Sequence, residues 1–182
     1  MNKFELEHRM IDLDKVVHDI YPGMTFECVI VGGGALLIKN VITRGTLDVD
    51  VLEVSKEVEE LFAVYDFNTR VKAVLDCFPY NYGDRIELVN IKTQCIKYYT
   101  PCIEDLIVSK LYAYRGKDIE DLHKIKESGK FNSSLLEEVI EDAKHSAVTE
   151  RRYLEMVNLY KHFFKEWELW KPKHLKVFYL IM

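Results

Sequence analysis

The chain has 182 residues, 48% of them hydrophobic and few of them Gly or Pro. That is enough to bury a core as one domain, or one domain with a helical appendage, and it argues against disorder. A net charge of −5 speaks against a broad nucleic-acid-binding face, although a local basic cleft stays open.

The apolar runs are shorter than a membrane span, and the charged start MNKFELEHRM has no signal-peptide core. The expectation is a cytoplasmic protein with no membrane contact. The four cysteines, Cys28, Cys77, Cys95 and Cys102, form no CxxC and have no histidine cluster beside them. They read as free, buried thiols rather than a zinc site or disulfides.

In chain order, Phe4 to Ile20 predicts a helix with loosely periodic Ile11, Leu13, Val16, Val17 and Ile20, ended by Pro22-Gly23. Phe26 to Val31 reads as a buried strand, Gly33 to Lys39 as a short helix starting on glycines, and Leu47 to Leu52 as a second strand. Ser55 is a candidate cap for a helix with Val58, Leu61 and Phe62 on one face. Thr69 to Phe78 reads as helical and stops at Pro79, and Asn81 to Asp84 reads as a turn. Arg85 to Asn90 and Gln94 to Tyr98 read as strands. Beyond Pro101, Glu104 to Tyr114, Asp118 to Glu127, Ser134 to His145 and Glu150 to Trp167 all read as helices, with Ser128-Gly129 as the clearest break. The tail HLKVFYLIM suits core packing better than a closing strand or an oligomer contact. The fold class is therefore α/β (α+β): a small mixed sheet with flanking helices over 1–100, then a helical portion over 101–182 with an apolar tail.

Asp48 and Asp50 stand at i and i+2, so on a strand both point one way while Leu47, Val49 and Val51 point into the core. Adjacent carboxylates repel unless one is protonated or a cation sits between them, and a hard divalent cation suits such a pair. An acidic pair on a plain solvent-facing strand is the competing reading. Glu87 interrupts the apolar run RIELVNI; beside the pair it makes a trio able to hold metal, and otherwise it lines a sheet edge.

Gly32, Gly33 and Gly34 allow close approach of an anion to backbone amides, or form a tight turn with nothing bound. Arg44 and Thr46 precede the acidic pair and can serve a phosphate, an aspartate or the loop itself. Lys110 falls inside an apolar helical stripe, where it either snorkels outward or reaches a phosphate or carboxylate. Asp118 and Asp121 share a helix face and, with a Lys117–Asp121 pair, read first as a solvated charged surface.

The order of an apolar strand, GGG, a short helix, TRGT and DVDV resembles the signature of the polymerase-beta-type nucleotidyltransferase fold. The later EDLIVSKLYAYRGKDIEDL is similar to a stretch in a bacterial subgroup related to AbiEii-type toxins. The resemblance covers about Phe26 to Leu122. It implies a nucleoside triphosphate substrate such as ATP and Mg²⁺ or Mn²⁺ held by Asp48, Asp50 and Glu87, with Glu87 also aiding the attacking hydroxyl. It further implies Gly33 and Gly34 around the triphosphate, Arg44 and Thr46 in the family pattern, Lys110 on nucleotide phosphates, and Asp118 or Asp121 as an accessory acid. The acceptor would be an RNA or tRNA end or a protein hydroxyl, and an antitoxin would be a possible partner. The alternatives are a catalytically silent nucleotide- or partner-binding module of the same fold, and an assembly protein.

Overall fold

The computed structural model describes residues 1–71 and 77–165. Half of the expected Thr69–Phe78 helix (72–76), the last residues of the final helix and the HLKVFYLIM tail lie outside the described residues.

Helix α1 (Lys3–Ile20) starts on a capping box: the Asn2 side chain accepts the Glu5 N–H at 3.0 Å, and the Glu5 carboxylate accepts the Asn2 N–H at 2.9 Å. Its buried face is Leu6, Met10, Leu13, Asp14 and Val17, a cleaner helical stripe than the expected one; Ile20 lies outside it and is exposed. Asp14, only 2% exposed, accepts N–H bonds from Gln94, Cys95 and Ile96 at 2.7, 2.9 and 2.7 Å. Those donors satisfy the buried carboxylate without a cation and pin α1 to the start of β5.

The mixed sheet runs β3-β2-β1-β5-β4, from β1 (Phe26–Ile30), β2 (Val49–Leu52), β3 (Phe67–Asn68), β4 (Glu87–Leu88) and β5 (Ile96–Thr100). Central β1 is parallel to β5 and antiparallel to β2; β2 is parallel to β3, and β4 is antiparallel to β5. Helix α2 (Gly32–Ile38) follows β1 directly, and α3 (Glu59–Val64) precedes β3. Helix α3 starts at Val58 with no side-chain cap. Ser55 spends its hydroxyl on the Glu57 carboxylate instead, so the expected cap does not form.

The later residues form α4 (Ile103–Ala113), α5 (Gly116–Ser128), α6 (Ser133–Ser146) and α7 (Glu150–Tyr160), the last continuing as a π-turn over Lys161–Lys165. Gly129, at φ +62°, ends α5 as the sequence suggests. Helix α4 is buried almost all round, with Leu106, Ile107, Val108 and Leu111 at 1% exposure or less; each such side chain contributes about 1.5–3 kcal/mol of burial.

Near the start of α4, fully buried Asp105 receives two Arg85 nitrogens at 2.7 and 3.0 Å and the Cys102 thiol at 3.0 Å. Arg85 also bonds the Asn81 side-chain oxygen at 2.9 Å and reaches Asp142 at 3.4 Å. All four cysteines are buried and none is in a disulfide, as expected. Burial, reinforced by Asp105, pushes the Cys102 thiol well above its ordinary range. No described helix is long and apolar enough to cross a membrane.

Candidate active site

The site begins where β1 gives way to α2. Gly32 adopts φ +60°, a left-handed conformation suited to glycine. A Cβ on Gly32 would lie 3.3 Å from Asp50 Oδ2, and one on Gly33 3.7 Å from Thr46 Oγ1 and 3.8 Å from an Arg44 nitrogen. Gly34 has a different task. A Cβ there would meet Val49 Cγ1 at 2.9 Å and Ile30 Cγ2 at 3.1 Å, so it lets α2 press onto the sheet. Of Gly33 and Gly34, only Gly33 borders the polar side of the turn.

Strand β2 starts at Val49, two residues later than expected. Leu47 is 87% exposed rather than core-facing, because Thr46 donates to the Asp48 carbonyl at 2.7 Å and turns the chain before the strand begins. Val49 and Val51 are buried as expected. Asp48 is exposed and Asp50 half-buried. Burial, with Asp48 beside it, raises the Asp50 carboxyl above its ordinary 3.8, opposed by the Asn68 hydrogen bond and by the charges of Arg115 and Lys110.

Behind the pair lies a buried ionic network. Arg44 grips Asp121 with two nitrogens at 2.6 and 2.9 Å. Lys110, 4% exposed, bonds Asp121 at 2.6 Å and Asp118 at 3.3 Å. Asp118 takes Arg115 Nε at 2.8 Å and the Arg115 backbone N–H at 3.1 Å. Burial alone would raise the Asp118 carboxyl, but these bonds and the Lys110 charge hold it below its ordinary value. Lys110 thus reaches carboxylates, one of its expected alternatives. Asp118 and Asp121, 3% and 1% exposed, form no solvated face, and Asp121 is bonded to Arg44 and Lys110.

Glu87 is not brought to the pair. It lies on β4, with β5 and β1 between it and β2, roughly three strand spacings or about 14 Å away. Its side chain is 63% exposed and bonded to Lys39 at 2.8 Å. It borders a polar depression of about 550 Å³ shared with Lys39, Glu104 and Lys130. Among the described residues no three His, Cys, Asp or Glu side chains gather as a metal site, so the expected trio reduces to Asp48 and Asp50. That pair still suits a hard cation brought with phosphate: the charge on Asp50 is held at a cost, and the space before its Oδ2 is one a Cβ on Gly32 would fill.

Residues 8–168 match the family model described as "Nucleotidyltransferase of unknown function (DUF6036)". The chain belongs to this family. No curated protein and no solved structure matches the chain.

The nucleotidyltransferase match spans both the sheet and the helices that carry Lys110, Asp118 and Asp121. Two residues beside the site were absent from the sequence-based set. Arg115 lies within the second motif, in YRGKD, but carried no assigned role. Asn68, which donates to Asp50 Oδ1 at 2.9 Å, had no local signal, since only the β2–β3 register brings it there.

Proposed function

We propose that this nucleotidyltransferase-family chain is a Mg²⁺- or Mn²⁺-dependent enzyme that moves a nucleotidyl group from a nucleoside triphosphate, such as ATP, to a hydroxyl. The observation that carries the reading is the juxtaposition of the aspartate pair and the glycine turn with a network of three cations and two carboxylates. Asp48 and Asp50 would hold the cation. Gly33, Arg44 and Thr46 border the space for the triphosphate, and Gly34 keeps α2 seated. When bound, the cation would neutralise phosphate charge and lower the pKa of the attacking hydroxyl.

The chain's own part is positioning and fixed charge, as suits phosphoryl transfer. Asp121, itself bonded to Lys110, holds Arg44 beside the turn, while Asp118 holds Arg115, whose side chain is 77% exposed. The hydroxyl oxygen bonds to the α-phosphorus and gives up its proton to water as the bond from that phosphorus to the oxygen bridging to the β-phosphate breaks, and pyrophosphate leaves. Glu87 takes no part in this reading. The acceptor is an RNA or tRNA end or a protein hydroxyl. Similarity of the second motif to AbiEii-type toxins suggests the toxin of a two-gene pair, with an antitoxin partner. A silent nucleotide-binding module of the same fold is the second reading, favoured by the lack of a third gathered carboxylate among the described residues.

Thermal shift of wild type and the Asp48→Asn/Asp50→Asn double variant, with each nucleoside triphosphate and with or without Mg²⁺, tests the site. Stabilisation that requires Mg²⁺ and vanishes in the variant is expected. Equal stabilisation of both proteins sinks the assignment. Transfer of a labelled nucleotide to RNA or protein then separates the enzyme from the silent module.

A further inference from the structure

We propose that Asn68 is a positioning residue that reserves one oxygen of Asp50, so that the site takes its divalent cation together with nucleotide phosphates and not on its own. This rests on the nucleotidyl-transfer reading above. Strand β3 lies beside β2 with Asn68 in register with Asp50. The Asn68 side-chain oxygen accepts the Arg70 N–H at 3.1 Å, which fixes the amide orientation. Its NH₂ therefore faces Asp50 and donates to Oδ1 at 2.9 Å. Oδ2 is the oxygen on the Gly32 side.

Two consequences follow from this register. Asp50 has one oxygen held by a donor and the other toward the cleft. The neighbouring strand position adds a donor where a carboxylate would add an acceptor, so Asp48 and one oxygen of Asp50 leave most of the octahedral shell of a small divalent cation to waters or to phosphate oxygens, and phosphate oxygens hold it more firmly. The surrounding charge acts in the same direction. Arg115 and Lys110 lie close enough to Asp50 to act on its carboxyl, and they oppose a bare cation while favouring one that carries a triphosphate.

The test is binding of Mn²⁺ alone, and of Mn²⁺ with inorganic triphosphate, to the full chain, read by calorimetry and thermal shift. Wild type should respond only to the combination. Asn68→Asp should melt lower without ligand and gain Mn²⁺ binding without triphosphate, at least about tenfold tighter than wild type, as an added carboxylate requires. Asn68→Ala should keep its ligand-free melting temperature within a few degrees and lose about tenfold in affinity for the combination, corresponding to one charge-assisted hydrogen bond. A merely structural amide gives no gain in Asn68→Asp. The inference is overturned if wild type binds Mn²⁺ alone as tightly as Asn68→Asp, or if Asn68→Ala binds the combination unchanged. If wild type ignores the combination altogether, the functional reading fails and takes this inference with it. If Asn68→Asp does not fold, the Asn68→Ala arm decides alone.

Discussion

Helix α4 carries a buried ionic group near each end, and the two are built differently. At its start, Asp105 and Asp142 share one cation, Arg85, whose side chain is 16% exposed. The Cys102 thiol and Asn81 complete the partners. Near its end, Lys110 joins Arg44 and Arg115 around Asp118 and Asp121, and the group opens to solvent at Arg115. Among the described residues the first cluster has one cation for two carboxylates, with Asp105 sealed inside and Asp142 at its edge. The second holds one cation in excess and sits beside the aspartate pair. Similar chemistry thus staples helices at one end of α4 and leaves an excess of positive charge beside the aspartate pair at the other.

Removing a buried anion should break either end alike. Asp105→Ala leaves Arg85 with only its longer Asp142 contact, and Asp121→Ala takes the anion from Arg44 and leaves Lys110 with only Asp118; each should cost up to about 3–5 kcal/mol in denaturant unfolding. A near-neutral Asp121→Ala would mean that Asp121 does not hold Arg44 and Lys110 as described. Gly34→Ala comes next: its Cβ has no room beside Val49 and Ile30, so overpacking should cost about 1–3 kcal/mol, whereas Gly33→Ala should fold normally.

The sharpest contrast is between the arginines. Arg115→Ala, at an exposed side chain, should change stability by less than about 1 kcal/mol yet weaken Mg²⁺–triphosphate binding about tenfold, a loss of roughly 1.4 kcal/mol. Arg85→Ala should do the reverse, lowering the melting temperature with little effect on the ligand affinity of the folded fraction.

The smallest effect concerns Asp50. Its raised carboxyl means that the folded chain holds that proton more tightly than the unfolded one. Stability is therefore lost as pH rises from the ordinary 3.8 through the raised value. Ligand-free Asp50→Asn should melt slightly above wild type at neutral pH, and the gap should close as pH falls below 3.8. A gap that widens on acidification would reverse the assigned direction.

The sequence carried the elements well because their signals are local: strand, glycine turn and DVD fall in one short stretch, and Gly129 marks its helix end. Lys110 was legible for the same reason, as a charge inside an apolar stripe. Asp14 sits in such a stripe too, with Leu6, Met10, Leu13 and Val17, and could have been found by the same rule. Asp118 and Asp121 were misread because an i, i+3 acidic pair is locally indistinguishable from a wet helix face. Arg44, the partner of Asp121, lies 77 residues before it. Glu87 was drawn toward the pair by strand alternation, which reports a face and not a strand's rank in the sheet. Leu47 followed alternation into the core, but the Thr46–Asp48 turn delays the strand.

The bond between Arg44 and Asp121 also sets an order of assembly during synthesis. The glycine turn and both aspartates leave the ribosome well before the helix that supplies Asp121. Strand β1 likewise waits for β5, since Phe26 pairs with Ile96, and pairings so distant along the chain close late. A nascent chain halted before Asp121 holds the aspartates but lacks the anchor that orients Arg44. Arg44 takes its place beside the glycine turn only once α5 has been made and docked.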